Sequence, residues 1–322
     1  MISLPEPYRA ALAQEIADLL PDHPLYRMVR YHLEGGKGLR PALCLLACQG
    51  VGGDPFKAIP AAAAVELLHN FSLVHDDIQD RSPLRRHRPT LWQQWGEAQA
   101  ITAGDALFAL SRLALLRLKD IGIPPTKVLQ AARLLDEACL RLCQGQYLDM
   151  DFEGRPLVSR QEYLEMVQGK TSALMEASLV LGALVGGARK ATVEHLRLMG
   201  RDLGLAFQLQ DDVLALWGET TVVGKVSPDI QRKKKVFPLV YALEASQGQD
   251  RKTLSRLYQQ DSLGPEDVAR VLAILERRGS REYTQGLAQD YFRQARENLE
   301  KARLSQPQGL REMLSYMERR QA

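Results

Sequence analysis

Residues 61–86 read AAAAVELLHNFSLVHDDIQDRSPLRR, and this stretch decides the fold class of the chain. Strong helix formers without a breaker predict one long helix over residues 57–81. On that helix Asp76 and Asp80 lie on one face, one turn apart, where their like charges repel unless cations lie between them. Carboxylate oxygens suit Mg²⁺, which usually bridges a protein to a substrate phosphate. Three carboxylates just ahead of an arginine pair therefore indicate a metal-bridged diphosphate or triphosphate.

The rest of the chain repeats this helical pattern and shows almost no strand-like alternation. Glycine and proline mark the ends of most segments. The predicted helices cover residues 24–34, 41–50, 57–81, 91–119 (interrupted near 104), 127–150, 160–185, 192–217, 236–247, 251–260, 265–278 and 281–303, with a last helix ending near 320. No linker, repeat or low-complexity tract separates them, so we predict a single all-α domain over residues 1–322.

Composition and charge agree with a soluble, enzyme-sized protein. Apolar residues make up 45% of the 322 residues and charged residues 25%, a balance that can bury a large core. A net charge of +3 is too small to indicate nucleic-acid binding. The N-terminus lacks a secretory pattern, and the apolar stretch 173–188 is too short for a confident membrane span. We expect a cytoplasmic protein without stable membrane insertion.

A second acidic pair, Asp211-Asp212, lies within the helical stretch AFQLQDDVLALWG over residues 206–218. Gln208 precedes these residues by three and four positions, so an amide and two carboxylates share a helix face. Two Asp-Asp pairs on separate long helices could face each other across a cavity and hold several divalent cations. The two pairs together therefore indicate a metal site more strongly than either pair alone.

Further motifs accompany the acidic pairs. They are Gly35–Pro41 with Lys37 and Arg40, then His69, Arg85-Arg86, Gly169-Lys170-Thr171, Phe207-Gln208, Gly224-Lys225 and Lys233–Lys235. In this order, over roughly residues 28–245, the chain resembles the trans-isoprenyl diphosphate synthases, the polyprenyl synthetase family. The resemblance implies a large helix bundle around a deep central cavity, usually assembled as a homodimer. It also implies Mg²⁺-dependent head-to-tail (1'-4) condensation of isopentenyl diphosphate with an allylic diphosphate.

The resemblance also assigns roles to individual residues. The implied metal ligands are Asp76, Asp77, Asp80, Asp211 and Asp212, which together with Lys170 form the implied catalytic set. The implied substrate-binding residues are Lys37, Arg40, His69, Arg85, Arg86, Lys170, Thr171, Gln208, Lys225 and Lys234. Of these, Lys37, Arg40, His69 and Arg86 would hold isopentenyl diphosphate without a metal.

Three positions depart from the family pattern. Ala215 replaces the aspartate that usually ends the second acidic motif, so the number of Mg²⁺ ions is expected to be two or three. His87 follows the arginine pair where glycine is usual. Gly38 replaces a common arginine and removes one auxiliary cation beside the predicted isopentenyl diphosphate site.

The residues one helical turn before Asp76 are expected to set product length. Phe71 lies five positions before it and Ser72 four. An aromatic ring beside a small residue resembles family members that stop at geranylgeranyl diphosphate (C20). The alternatives are a farnesyl or a longer polyprenyl product, a weakly active subunit of a heteromeric synthase, and a type I terpene cyclase.

Overall fold

The computed structural model describes residues 5–218, 234–260 and 262–319. Helices form nearly all regular structure in these residues, which confirms the predicted all-α fold class. The helices α1 to α15 are, in order, Glu6–Asp18, Pro24–Leu33, Leu39–Gly50, Ile59–Gln79, Leu91–Trp95, Glu97–Leu116, Pro125–Gly154, Arg160–Val167, Ala173–Val185, Lys190–Trp217, Phe237–Ala245, Gly248–Gln259, Pro265–Arg277, Ser280–Lys301 and Gln308–Glu318. Short 3₁₀ turns cover Pro55–Ala58 and Arg117–Lys119, and a π-helical turn covers Gln168–Ser172. Two short antiparallel strands, β1 (Leu84–Arg85) and β2 (Arg88–Pro89), form a hairpin.

The chain divides into two compact units, each made of residues that contact mainly one another. Unit 1 contains residues 1–139, 174–200 and 298–313, and unit 2 contains residues 140–173, 201–297 and 314–322. The boundaries fall inside α7, α9, α10, α14 and α15, where no linker marks them in the sequence. The single domain expected from the sequence therefore remains a prediction.

In unit 1, α4 forms the centre of the packing and carries the first acidic motif. Every residue from Ile59 to Leu68 is buried, because small alanine side chains let neighbouring helices cover this half of α4 on all sides. Helices α3 and α6 pack along it. The second half of α4 is buried on one face only, so its polar side chains reach a more accessible surface.

In unit 2, an apolar cluster joins α8, α10 and α11. Phe237, the first residue of α11, is fully buried and packs against the ring of Tyr163 with 5.6 Å between ring centroids. Leu205 and Leu209 of α10 belong to the same cluster. This packing sets the orientation of α10 and so determines where the side chains of Gln208 and of the second acidic pair lie.

Candidate active site

The first acidic motif lies at the C-terminal end of α4. Asp76 and Asp77 occupy its last turn, and Asp80 is the C-cap residue, whose amide donates to the carbonyl of Asp76. The guanidinium of Arg85 donates from Nε to both carboxylate oxygens of Asp77 at 2.9 Å. Its Nη2 lies 3.4 Å from Asp76 Oδ2. Arg85 therefore balances charge where the like-charged aspartates would otherwise repel.

The carboxylates of Asp76 and Asp77 differ in exposure. The side chain of Asp77 is 3% exposed, whereas that of Asp76 is 18% exposed. Burial raises the pKa of Asp77, and the hydrogen bonds from Arg85 oppose that rise. Because both Asp77 oxygens already accept from Arg85, a metal ion would have to share or displace these bonds.

The β1–β2 hairpin places Arg85 at the end of β1 and Arg86 in the tight turn that follows it. Arg85 lies on β1, and the two central turn residues, Arg86 and His87, have φ of 53° and 61°. Two successive positive φ values are typical of a type I′ turn, in which Asn-Gly is preferred. The His87 position is thus left-handed, which explains why glycine is usual there. Non-glycine residues in this region store backbone strain of about 1–3 kcal/mol each, as is common at functional sites.

A basic group of unit 1 consists of Arg40, His69 and Arg86. Arg40 Nη1 lies 3.0 Å from His69 Nε2. Arg86 Nη1 donates to the carbonyls of His32 (3.2 Å) and Glu34 (3.0 Å), which pins its guanidinium beside the glycine turn at residues 35–36. The structure therefore brings together three of the four residues predicted to bind isopentenyl diphosphate.

His69 is neutral in this arrangement. Burial lowers its pKa well below the ordinary value, and the charges of Arg40, Arg85 and Arg86 lower it further. Because a guanidinium can only donate, Nε2 of His69 accepts from Arg40, and the ring proton is assigned to Nδ1. His69 thus orients Arg40 without adding positive charge.

Lys37 lies in the glycine-rich turn between α2 and α3. Gly35 and Gly38 have φ of 78° and 59°, which lets the backbone reverse sharply there. The Lys37 side chain is exposed and takes part in no hydrogen bond or ion pair with the described residues. A ligand phosphate at the turn would therefore meet an uncommitted ammonium group.

Glu66 is a buried carboxylate that the sequence reasoning did not assign to the site. It is 8% exposed and accepts from Asn70 Nδ2 at 3.1 Å. Burial raises its pKa, while Asn70, Arg40 and Arg86 oppose the rise. The sequence did contain a signal for its importance, because Glu66 is a carboxylate within an otherwise apolar stretch of helix. When ionised, this carboxylate offsets the positive charges of Arg40 and Arg86.

Phe71 and Ser72 lie on α4 between His69 and the acidic motif. The Phe71 ring packs against His75 (4.9 Å between centroids) and against Phe108 of α6 (5.3 Å). Ser72 Oγ donates to the carbonyl of His69 at 2.7 Å, so this hydroxyl is turned back onto the helix. Phe71 therefore belongs to an aromatic cluster of three rings, and the two rings of this cluster on α4 lie within about one and a half turns of Asp76.

In unit 2, the π-helical turn presents Lys170. Backbone crowding explains this local geometry: Gly169 and Gly145 approach so closely that a side chain on either would meet the opposite backbone. Lys170 Nζ lies 2.5 Å from Asp149 Oδ2, and Lys234 Nζ lies 3.3 Å from the same oxygen. Isolated π-helical turns are frequent at functional sites.

Asp149 is a second residue that the sequence reasoning missed. It is 7% exposed, and burial raises its pKa, but the charges of Lys170 and Lys234 outweigh burial and hold that pKa below its ordinary value. A signal was present in the sequence. Residues 138, 142, 145, 149 and 152 form the buried stripe of α7, and a carboxylate in such a stripe needs a partner.

Asp212 is the centre of a hydrogen-bond network in unit 2. Its Oδ2 accepts from the Tyr163 hydroxyl (2.6 Å) and from the Phe237 amide (3.0 Å), and its Oδ1 accepts from Gln208 Nε2 (3.0 Å). Thr171 Oγ1 donates to Gln208 Oε1 at 3.1 Å. Burial raises the pKa of Asp212 to about 7, against the lowering effect of these donors. The network orders Thr171, Gln208 and the start of α11.

Asp211 is more accessible than Asp212, and Ala215 follows it by one helical turn. A methyl group therefore occupies the position where the family's usual aspartate would add a third carboxylate to this face. Two further predicted positions, Lys225 and the first lysine of the 233–235 run, lie outside the described residues.

Residues 5–218, 234–260 and 262–319 contain no cluster of three or more acidic, histidine or cysteine side chains that could hold a metal ion alone. The carboxylates of each unit nevertheless suit a hard cation. Asp76 and Asp80 of unit 1 offer carboxylate oxygens, as does Asp211 of unit 2. Mg²⁺ is usually bound by one or two carboxylates together with substrate phosphates. Arg85 pairs with Asp76 and Asp77 and supplies positive charge at the acidic C-terminal end of α4.

Comparisons with known proteins show which proteins this chain is similar to. A family model described as polyprenyl synthetase matches residues 22–275. A short chain isoprenyl diphosphate synthase from Methanothermobacter thermautotrophicus is 40% identical over 293 residues, covering 90% of this chain and 87% of the relative. A (2E,6E)-farnesyl diphosphate synthase from Mycobacterium tuberculosis is 39% identical, covering 87% and 81%. The crystal structure of a geranylgeranyl pyrophosphate synthetase from Pyrococcus horikoshii superposes with a TM-score of 0.90 at 34% identity, covering 98% and 97%.

Proposed function

Because the chain belongs to the polyprenyl synthetase family and is a trans-prenyltransferase, we propose that it condenses isopentenyl diphosphate with an allylic diphosphate up to geranylgeranyl diphosphate. This proposal rests on two neighbouring groups of side chains along α4, each suited to a diphosphate in a different way. Asp76 and Asp80 suit a metal-bridged diphosphate. His69, seven residues earlier, lies in a basic group with Arg40 and Arg86. A terpene cyclase, which ionises a single diphosphate, has no need of the second group.

The basic group binds the substrate that must not ionise. Arg40 and Arg86 offer planar donors that match phosphate oxygens, and Lys37 adds a point charge. Neutral His69 fixes Arg40 through its Nε2. No metal-binding carboxylate pair lies in this group, so isopentenyl diphosphate is held without activation of its carbon–oxygen bond.

The acidic motifs and Lys170 bind the substrate that must ionise. We assign Asp76, Asp80 and Asp211 to Mg²⁺, and Asp77 and Asp212 to holding Arg85 and Tyr163 in place. Members of this family use a divalent metal, which supplies Lewis-acid neutralisation of the leaving diphosphate when bound. Because Ala215 stands where the family usually has an aspartate, we expect two or three ions.

The chain's own residues complete the chemistry. Arg85, Lys170 and Lys225 place fixed positive charge on the departing diphosphate. The resulting allylic cation needs dry, apolar surroundings, because water would quench it. The released diphosphate can accept the final proton, so no side chain is assigned as a general base.

Product analysis tests the proposed function. The purified protein is incubated with Mg²⁺, labelled isopentenyl diphosphate and, separately, C5, C10 and C15 allylic diphosphates. We expect a C20 diphosphate that disappears when EDTA removes the metal. Release of a hydrocarbon would identify a cyclase instead. Failure to elongate any primer would favour a weakly active subunit of a heteromeric synthase, and Ala215 would be the first position to restore to aspartate.

Phe71 is proposed to limit product length. Replacing Phe71 with alanine removes the ring that packs against His75 and Phe108, so we expect products longer than twenty carbons. Chromatography of the dephosphorylated products measures the shift. Phe56→Ala is the matched control, because its ring is 50% exposed and packs against Tyr8 of α1. An unchanged product in Phe71→Ala would place the length limit elsewhere.

We propose that the chain is a homodimer through the exposed face of α7. Leu129, Leu140 and Tyr147 are 69%, 65% and 70% exposed and lie on one side of this helix. Such a stripe is typical of an interface. In a two-fold dimer Leu140→Glu buries two carboxylates, so we expect the dimer dissociation constant to rise about 10²-fold or more. Sedimentation equilibrium measures it, with Phe56→Glu as control; a monomeric wild-type chain would refute the proposal.

The cytoplasmic location stays a prediction.

No helix within the described ranges is long and apolar enough to cross a bilayer.

A further inference from the structure

The β1–β2 hairpin is held against the C-terminal end of α2 by three side chains outside the set assigned to substrates and metal. The hydroxyl of Tyr31 donates to the carbonyl of Pro89 at 3.0 Å. Arg88 Nη1 donates to Glu34 Oε2 at 2.6 Å, and its guanidinium carbon lies 3.9 Å from the centre of the Tyr31 ring. We call Tyr31, Glu34 and Arg88 the hairpin clamp.

The hairpin is too short to hold its own shape. Each strand has two residues, and an isolated two-stranded hairpin is marginally stable at best in water. The two turn residues, Arg86 and His87, are both left-handed, and such residues persist only where the surrounding structure holds them. Contacts from outside the hairpin must therefore fix the turn that carries Arg86.

The start of the hairpin has its own attachment to the end of α4. The Ser82 amide donates to the carbonyl of Asp77 at 2.9 Å. The carbonyl of Ser82 accepts from Thr90 Oγ1 and from Trp92 Nε1, both at 2.8 Å. Arg85, on β1, is bonded directly to Asp77 as well. The clamp instead attaches β2, the strand that follows the turn, to α2.

Arg86 depends on the same end of α2 as the clamp. Its Nη1 donates to the carbonyls of His32 and Glu34, while the carboxylate of Glu34 accepts from Arg88. Glu34 thus binds both arginines, one through its backbone and one through its side chain. If β2 moved away from α2, Arg86 would lose these carbonyls, whereas Arg85 would stay bonded at the end of α4.

The charges in the clamp fit a positioning role better than direct contact with an anion. Glu34 is an exposed carboxylate directly before the glycine turn, where a bare negative charge repels a diphosphate. The Arg88 side chain is 37% exposed, yet its guanidinium binds Glu34 along one edge and lies over the Tyr31 ring. Arg88 is therefore committed to the clamp and acts through the hairpin.

We propose that the hairpin clamp positions Arg86 for the diphosphate of isopentenyl diphosphate, so that these three residues set the affinity for this substrate without touching it. The identity of the anion rests on the proposed function, whereas the positioning of Arg86 rests on the hairpin contacts. Arginine binds phosphate through a planar set of donors, so the orientation of its guanidinium matters as well as its charge. Loss of the clamp therefore weakens binding of isopentenyl diphosphate and spares the allylic diphosphate.

Calorimetry with the full chain in EDTA measures binding of isopentenyl diphosphate without metal and without turnover. We expect the Tyr31→Phe/Arg88→Gln variant to bind it about tenfold more weakly, because the hydrogen bond to Pro89, the ion pair and the ring contact are lost together. Hydrogen exchange should become faster in residues 82–90 and stay unchanged in residues 59–75 of α4.

Tyr26→Phe/Arg27→Gln is the matched control, because it makes the same two substitutions on α2. Arg27 is 71% exposed and lies 3.6 Å from Asp22, away from the hairpin contacts. An equal loss of affinity in this control, or wild-type affinity in the clamp variant, would overturn the proposal. A wild-type chain that does not bind isopentenyl diphosphate in EDTA would overturn it too. Binding without elongation counts against prenyl transfer alone, so the two failures are distinguishable.

Glu34→Ala distinguishes positioning from simple electrostatics. If charge alone mattered, removal of this carboxylate would tighten binding of the anion. The clamp predicts the opposite, an affinity about threefold lower, because Arg88 loses its partner. In steady-state assays with Mg²⁺, the KM for isopentenyl diphosphate should rise, while kcat and the KM for the allylic diphosphate stay within about twofold of wild type. A lower kcat with an unchanged KM for isopentenyl diphosphate would indicate a structural effect and contradict the positioning role.

Discussion

Asp76→Asn is expected to lower kcat by about 10³-fold or more at any accessible Mg²⁺ concentration. Neutralising the leaving diphosphate is worth several kcal/mol, and each 1.36 kcal/mol corresponds to tenfold in rate. The amide keeps the size of the side chain but loses the charge that a metal requires. Steady-state assays over a Mg²⁺ series measure both kcat and the concentration that gives half-maximal rate.

Asp77→Asn distinguishes the role of Asp77 from that of Asp76. Because Asp77 is buried and both its oxygens accept from Arg85, we expect this variant to raise the KM for the allylic diphosphate more than the Mg²⁺ requirement. Asp120→Asn, an exposed carboxylate of unit 1, is the control and should behave as wild type. If Asp76→Asn kept wild-type activity and Mg²⁺ dependence, the metal assignment would be wrong.

Sequence reasoning succeeded where the signal is local. Helix formers around residues 61–73 and the spacing of Asp76 and Asp80 predicted α4 to within two residues at each end. The family resemblance is confirmed by the polyprenyl synthetase family model, which matches residues 22–275. Both successes rest on residues close together in the chain, whose periodicity and order a sequence displays directly.

Sequence reasoning could not supply the partners of these residues. The spacing of Asp77 relative to Arg85 does not reveal that a tight hairpin folds the guanidinium back onto that carboxylate. Likewise, the adjacency of Asp211 and Asp212 hides their difference. One is accessible, and the other is buried and accepts three hydrogen bonds. Burial depends on long-range packing, which leaves only a weak trace in local pattern.

The two units illustrate the same limit on a larger scale. Their boundaries fall within helices, α7, α10 and α14 among them, whose sequences run on without glycine-rich or proline-rich linkers. Linker composition was the only criterion available from the sequence. Contacts between residues far apart in the chain define the units instead.

Asp149→Asn is expected to lower kcat about 10²-fold and to destabilise the fold by about 2–3 kcal/mol. Removing one partner of a buried ion pair costs about 3–5 kcal/mol, and the partial exposure of Lys170 and Lys234 reduces that cost. Without the carboxylate the two ammonium groups repel and move apart. Misplacement of a positioning group by about 1 Å can cost about 10²-fold in rate. Asp151→Asn, an exposed neighbour on α7, is the control.

The stability effect of Asp149 should depend on pH with a defined sign. Its folded-state pKa lies below the ordinary value of 3.8, because Lys170 and Lys234 outweigh the effect of burial. A carboxyl group with a lowered pKa stabilises the fold above its unfolded pKa and loses that contribution as pH falls through the folded value. The difference in unfolding free energy between wild type and Asp149→Asn should be full at pH 7 and shrink below pH 3.8. Urea unfolding across this range measures it.

Kinetics then decide whether Asp149 positions the lysines for catalysis or only supports the fold. A positioning role predicts that Asp149→Glu recovers part of kcat, because a carboxylate again holds Lys170, while the KM for isopentenyl diphosphate stays near wild type. A purely structural role predicts lower stability with unchanged kcat for the folded fraction. The second result would leave Lys170 without a fixed orientation in the proposed mechanism. Lys170 would then have to be oriented by the substrate diphosphate itself.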